Sequence, residues 1–416
     1  MVSTDTAEQT ENTQSELTQT GTPADYEYYK SVLADQEFPC AFVDRDRLSS
    51  NADSIEDRAD GTQVRIASKS IRSRAVLDRI LDESDCFDGI MCYSGREAAY
   101  LAAYGFEDLL VAYPVYQKSE IAGVRDANEA GATVTVMVDS EDHVKRLSDF
   151  GEAFGTSFEL CIDIDLSTKH FGMHFGVYRS GIRDAEAALS LCETIDTLPS
   201  VTLSGMMGYE AQLAGIPDRS PANGRVKNAV LRALKRRSRQ LVRRRRVDIV
   251  EAVVDAGYDL QFVNGGGTGT IEFTTQDPTV TEITVGSGFY FPALFDYYDR
   301  FEHKPAAGFA VAVARNPDSG IYTCRGGGYI ASGPPDVGRQ PAPWFPEGVE
   351  LRNSEGAGEV QTPVLYDGTL SPGDPVFFRH AKAGELCEQF ESLHVLSEGE
   401  IVKTVPTYRG DGRCFL

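Results

Sequence analysis

The stretch VRIASKSIRS, residues 64–73, decides how the chain reads. Val64, Ile66 and Ala67 form a short apolar run that ends in polar residues at Lys69 and Ser70, the pattern of a β-strand with a polar exit. The residues that follow, RAVLDRILDE, carry Val76, Leu77 and Ile80 at helical spacing. This strand-then-helix unit recurs along the chain. Further strand candidates are FDGIMCYS, LLVAYP, TVTVMVDS, FELCIDIDL, VTLSGMMGYE, LQFVNGGGTG and EITVGSGFY. Amphipathic stretches such as GREAAYLAAYG, SEIAGVRDANEAG and SEDHVKRLSDFG separate them, several ending at glycine, a common helix stop. Eight such units in roughly 250 residues is the arithmetic of an α/β protein built as a closed (β/α)8 barrel of TIM type. A doubly wound open sheet is the alternative.

Past Asp299 the rhythm changes. AGFAVAVAR, GIYTCRGGGYI, GEVQTPVLYDG, GDPVFFRHAK and SLHVLSEGEIVKTVP alternate or run apolar, broken by turn signals at NPDSG, SPGD and SEGE. The expected organisation is a disordered tail over 1–27, rich in Thr, Gln and Glu, a barrel over 28–297 and a C-terminal all-β domain over 298–416.

With 416 residues and 41% hydrophobic content, the chain can bury a large core. Its formal net charge of −23 argues against a general affinity for nucleic acid or an anionic membrane surface. Such a balance keeps a chain soluble and suits a salt-rich interior, where screening relieves self-repulsion. The eight cysteines are scattered with no CxxC pair, so zinc-ribbon and dithiol redox chemistry are not expected. Most read as buried hydrophobes of a reducing cytoplasm. No apolar stretch has the roughly 18 residues of a membrane span, and the start has no signal-peptide pattern.

One oddity is LKRRSRQLVRRRRVDIVEAVVDAG, with four arginines at Arg243–Arg246. It reads either as a polyanion site or as the solvated face of a long helix whose apolar side is Leu231, Leu234, Leu241, Val242, Ile249 and Val253. The acidic surroundings favour the solvated face, with pairing to acidic groups of a partner subunit as a variant.

In a barrel of this kind the working residues lie at the C-terminal ends of strands, and phosphate commonly binds through the loops after strands seven and eight. Lys69 closes strand one; Tyr209 and Glu210 close strand six. The two expected phosphate loops are the glycine-rich ones, Gly265, Gly266, Gly267, Thr268 and Gly269, then Gly286, Ser287 and Gly288. Glycines let peptide N–H groups approach an anion closely, and Thr268 and Ser287 add hydroxyl donors. A lysine amine beside a phosphate anchor points to a Schiff base with pyridoxal 5'-phosphate.

With RIASKS, MMGYEAQ, NGGGTGT and GSGFY in this order, the chain resembles the fold-type III pyridoxal-phosphate enzymes. Within them it is most similar to the D-threonine aldolase and D-serine dehydratase group, sometimes called amino acid deaminase/aldolase. The resemblance extends from about residue 38 through the β domain, including FRHAKAGELCEQF. It implies that Lys69 holds the cofactor and shuttles a proton at Cα, that Tyr209 faces the pyridine ring, and that Gly266, Gly267, Thr268, Gly286 and Ser287 hold the phosphate. It also implies a lyase acting on small D-β-hydroxy amino acids, by retro-aldol cleavage or by dehydration, and a homodimer.

Two departures stand out. Where the family has an arginine near the cofactor's phenolic oxygen, His170 aligns, either as a weaker, titratable donor or as a satisfied loop histidine. Metal-dependent members carry a histidine followed two residues later by cysteine or aspartate. Here His380 is followed by Lys382, whose charge repels a divalent ion. Either Lys382 stands in for the metal electrostatically, or Glu385 or Cys387 supplies a second ligand. His380 would polarise the β-oxygen in either case. An alanine racemase of the same fold and a non-catalytic pyridoxal-phosphate carrier are the competing readings.

Overall fold

The computed structural model describes residues 23–333, 336–382 and 384–416. Eight parallel strands close into a barrel: Gln63–Ala67, Phe87–Cys92, Asp108–Val111, Thr133–Val138, Phe158–Asp163, Val201–Gly208, Phe262–Gly265 and Glu282–Val285. Each of the eight sequence candidates supplies one strand. They read as near-continuous apolar runs because a parallel sheet inside a ring of helices is buried on both faces. In Thr133–Val138 only the first residue is exposed. The ring closes where Ile66 of the first strand pairs with Val285 of the eighth.

The connecting helices start where the sequence offers a cap. Ser94 accepts from the Glu97 N–H, Ser140 from His143 and Asp184 from Ala187. The regular unit fails at two places. After the seventh and eighth strands the helices shrink to single turns, Ile271–Thr274 and Ser287–Tyr290, and helix Arg45–Ala59 packs against both. After the fifth strand a two-stranded hairpin, Thr168–His170 with Met173–Phe175, interrupts the chain.

Inside the barrel the side chains form two levels. At the N-terminal end of the strands Arg65, 3% exposed, bonds both Glu282 and Asp108, and Glu282 also takes the Asn264 amide. Toward the C-terminal end Met91, Leu110, Met137, Cys161 and Met207 pack together beneath Tyr113 and Tyr209.

The C-terminal region forms a nine-stranded sheet that also takes in one strand from the segment 28–297. Strand Cys40–Asp44, counted within the barrel segment 28–297, belongs to this sheet, between Ala307–Asp318 (antiparallel) and Ser392–Ser397 (parallel). All five of its residues are buried, as a strand with neighbours on both sides and packing on both faces requires. Residues 1–22 lie outside the described residues, but helix Pro23–Val32 begins within 1–27 and buries Tyr29 against Phe42, Trp344 and Phe345.

Phe42 is fully buried between Tyr29 and Trp344 and lies over Gly308, where an added Cβ would meet its ring at 3.2 Å. Deleting a buried aromatic ring of this kind costs about 3–5 kcal/mol. Phe42→Ala should lower the unfolding free energy of the whole chain, read from urea titration, by that amount, although the residue precedes the barrel. A loss below about 1 kcal/mol, in the range of an ordinary surface change, would show that the strand is dispensable.

Candidate active site

Lys69 occupies a single 3-10 turn, Ser68–Ser70, directly after the first barrel strand. The serines that bracket it explain how the turn is held. Ser68 is buried and donates to the Met91 carbonyl at 2.9 Å, tying the turn to the second strand. Ser70 Oγ lies 3.2 Å from Ser287 Oγ, tying it to the loop after the eighth. Arg72 donates to the Lys69 carbonyl at 2.9 Å and pairs with Glu388 of the C-terminal domain at 2.6 Å. Lys69 alone of the three turn residues is exposed, and its Nζ donates to the Tyr113 hydroxyl at 3.0 Å.

Tyr113 stands two residues beyond the third strand and was missed in the sequence, although the strand-end rule leads there. Burial pushes its phenol up, but the Lys69 charge and hydrogen bond, with Arg179 and Lys382, bring the net pKa below the usual 10. Arg179 lies 5.4 Å from the centre of the Tyr209 ring. Burial pushes the Tyr209 phenol up to about 12, with Arg179 opposing. Burial likewise raises the Asp163 carboxyl, at the end of the fifth strand, to about 7 against the pull of Arg179. One cation therefore acts on three groups at the barrel mouth.

His170 is placed elsewhere. It sits on the inserted hairpin with Nε2 3.0 Å from Thr168 Oγ1 and 2.9 Å from Ser238 Oγ, buried against helix Arg225–Asp255. It is the satisfied loop histidine of the two alternatives, because the hairpin turns it toward that helix. The arginine of this loop that reaches the mouth is Arg179, nine residues further on.

The two glycine loops meet as expected, with one difference. Gly288 N–H donates to Thr268 Oγ1 at 3.0 Å, which joins them. Gly286 abuts the first strand so closely that a Cβ would fall 2.8 Å from the Ala67 Cβ. The Gly266 N–H, expected on the phosphate, instead donates to Glu210 at 3.2 Å, in a backbone of φ +79° that suits glycine. The amides of Gly267, Thr268 and Ser287 donate to no acceptor among the described residues. These three, with Ser287 Oγ, suit a phosphate, and Lys69 is joined to the same loops through Ser70.

The C-terminal domain closes over this mouth. Gly384 lies against the Lys69 carbonyl, and Cys387 Sγ–H donates to the Ile71 carbonyl at 3.2 Å. Lys382 reaches the neighbourhood of Lys69 and Tyr113, and burial lowers its pKa, with Arg339 and Lys69 adding to that and Glu385 opposing. His380 is 3% exposed beside Tyr290. Burial, with Arg379 next to it, pulls its pKa down to about 3, so the ring is neutral. The Ala307 peptide pulls the other way, yet neither ring nitrogen makes a well-formed hydrogen bond. As a divalent-metal site this set does not fit. Glu385 is engaged by Ser332 and Cys387 by Ile71. No group of three or more His, Cys, Asp or Glu side chains able to hold a metal gathers among the described residues.

The model of the alanine racemase N-terminal domain matches residues 43–293, more than half of the chain. The chain belongs to this family. A member-like relative, the 3-hydroxy-D-aspartate aldolase of Paracoccus denitrificans (strain Pd 1222), is 26% identical over 250 residues, which are 60% of this chain and 59% of that protein. The chain thus spans less than two thirds of that curated relative. Among solved structures, D-threonine aldolase from Filomicrobium marinum superposes with a TM-score of 0.76 at 18% identity, over 91% of this chain and 96% of that one. D-threo-3-hydroxyaspartate dehydratase from Delftia sp. HT23 gives 0.71 at 21%, over 90% and 98%. At these identities the structures establish the shared fold: the alanine racemase-like barrel with its C-terminal sheet domain. The family implies pyridoxal phosphate.

Behind the Lys69 turn, Glu97 is fully buried and accepts the Tyr93 N–H at 2.7 Å. Burial lifts its carboxyl from 4.5 to about 7 against the pull of that N–H, Ser68 and Tyr408. The folded chain therefore keeps a proton that the unfolded chain releases near 4.5. Stability is fully present below that pH and is lost as pH rises through about 7, a change on the order of 3 kcal/mol. Glu97→Gln should flatten the decline in melting temperature from acid to neutral pH. Equal slopes for variant and wild type would contradict this.

Proposed function

We propose that this chain is a pyridoxal-phosphate-dependent lyase acting on D-configured β-hydroxy amino acids, with Lys69 as the amine that holds the cofactor. The observation that carries the reading is the Lys69 amine 3.0 Å from Tyr113, joined through Ser70 to two glycine loops with free amides. Gly267, Thr268 and Ser287 would hold the phosphate, Tyr209 would line the ring, and Arg179, in the place proposed from sequence for His170, would lie near the phenolic oxygen. When bound, the cofactor supplies an electron sink for charge developing at Cα. Gly266 and Gly286 would shape the cradle, Gly266 through Glu210 and Gly286 by its close approach to Ala67.

Around that sink the protein moves protons. Lys69 and Tyr113 form a pair able to exchange one: the amine takes a proton at Cα, and the phenol, with its lowered pKa, takes or returns one at the β-hydroxyl. Loss of the hydroxyl proton breaks Cα–Cβ and releases an aldehyde and a shorter amino acid. Loss of the Cα proton, with departure of the protonated β-hydroxyl as water, gives dehydration. His380 stays neutral and would serve as a hydrogen-bonding group toward the β-oxygen, and Lys382 as the cation there in place of a metal.

Arg179 acts on the Asp163 carboxyl and Lys382 on Glu385, and both act on Tyr113. Two cations beside Tyr113 support a substrate with a second carboxylate, such as 3-hydroxyaspartate. On assembly, the observation is apolar exposure: Phe171 and Tyr178, on the loop after the fifth strand, are 84% and 81% exposed. This supports a second copy of the chain covering the mouth, as a homodimer would. All eight cysteines are free, which supports a reducing cytoplasm. No helix of the described residues is long and apolar enough to cross a membrane.

Lys69→Ala should remove the visible absorption of the holoprotein, and a variant that remains yellow would end the assignment. In a product screen over D-β-hydroxy amino acids, with and without chelator, the diacid should lead D-threonine in kcat/KM. A charge-assisted hydrogen bond contributes about 1.5–3 kcal/mol, or roughly ten- to hundred-fold. Lys382→Gln should erase that preference. If the variant keeps it, Lys382 does not read the side chain.

A further inference from the structure

The arginine run that the sequence leaves as a solvated face is largely turned inward, and its four members do different things. Arg244 is the solvated one, 80% exposed and paired with Asp248 on its own helix. Arg243 lies over the Phe273 ring. Arg245 donates to the carbonyls of Asp165 at 2.8 Å and Ser167 at 2.6 Å, after the fifth strand. Arg246 is fully buried. It donates to Glu210 at 2.6 Å and to the Gly208 carbonyl at 3.1 Å, at the end of the sixth strand, and to Asp277 at 3.0 Å, beyond the seventh. Helix Arg225–Asp255 thus grips three consecutive strand ends from behind.

A buried ion pair is costly to desolvate and persists only where the remaining lone pairs and protons are used. Here they are. Asp277 also accepts the Thr279 N–H and hydroxyl, at 3.1 and 2.8 Å. Glu210 accepts the Thr274 hydroxyl and the Gly266 N–H. The second of these reaches into the phosphate loop itself. By taking the Gly266 amide, Glu210 fixes the first peptide of the loop and leaves Gly267 and Thr268 as its free donors. A bare carboxylate there would repel a dianion; Arg246, shared between Glu210 and Asp277, offsets part of that charge.

We propose that Arg246, acting through Glu210, is a positioning residue that presets the glycine loop for a phosphate dianion before any ligand arrives. This rests on the proposed function, since the dianion is taken to be the cofactor's tail. It assigns to the arginine-rich helix a role in anion binding that is exerted from behind the loop, through a carboxylate, with no arginine touching the anion.

The test compares two aldehydes that differ only in the phosphate. Apoprotein is titrated with pyridoxal phosphate and with pyridoxal, each followed by the visible band formed with Lys69. Arg246→Lys keeps the charge but loses the planar fork that meets Glu210, Gly208 and Asp277 together. It should weaken pyridoxal phosphate at least ten-fold and pyridoxal less than two-fold. Thr274→Val, which removes one hydroxyl from Glu210 and preserves shape, should act in the same direction and serves if Arg246→Lys does not fold. Arg244→Ala should change neither affinity. Equal weakening of both aldehydes, or unchanged affinity for pyridoxal phosphate in the folded variants, overturns the inference alone. Wild-type protein that takes up neither aldehyde overturns the proposed function, and the inference with it.

Discussion

The contact on which the rest of the molecule depends is the one that closes the ring, where the eighth strand returns to lie beside the first. Sixteen or more residues of connecting chain separate most neighbouring strands, but this pair is separated by nearly the whole barrel sequence. Its register, Ile66 opposite Val285, fixes Lys69 and Ser287 at adjoining strand ends. The closeness leaves no volume for a side chain at residue 286, and glycine is what the sequence provides. Amine and anion cradle are thus brought together by backbone pairing, with the two serines acting as ties.

Charge organises the interior in a second way. The barrel holds one arginine low, between Glu282 and Asp108, and a second sits behind the mouth, between Glu210 and Asp277. Ion pairs of this kind add little net stability once desolvation is counted. Their geometry is demanding, however, and each joins strands or loops that are distant in sequence. They favour one arrangement of the barrel over its near alternatives.

Much of this was legible in the sequence, for identifiable reasons. The eight strands announced themselves because buried parallel strands are short apolar runs, and Lys69 and the glycine loops followed from the strand-end rule. What stayed illegible depended on partners far along the chain. CAFVD was not among the strand candidates, and nothing local says that its neighbours are residues 307–310 and 393–396. The hairpin after the fifth strand redirected the chain, so that alignment pointed to His170 while Arg179 reached the mouth. Four consecutive arginines look solvated because charge pattern alone cannot reveal that a carboxylate on another strand end awaits one of them. Tyr113 was overlooked for a simpler reason: it had no companion motif.

The placement of Cys40–Asp44 in the middle of the C-terminal sheet bears on how the molecule comes into being. At a synthesis rate of about 5–20 residues per second, that strand waits on the order of tens of seconds for its parallel neighbour at 392–397 to leave the ribosome. Meanwhile the barrel can close, but strand Cys40–Asp44 stays an apolar segment with two open edges until its neighbours are made. Strand Cys40–Asp44 is therefore made early and finds its place late, and the sheet is completed only once residues 392–397 have emerged.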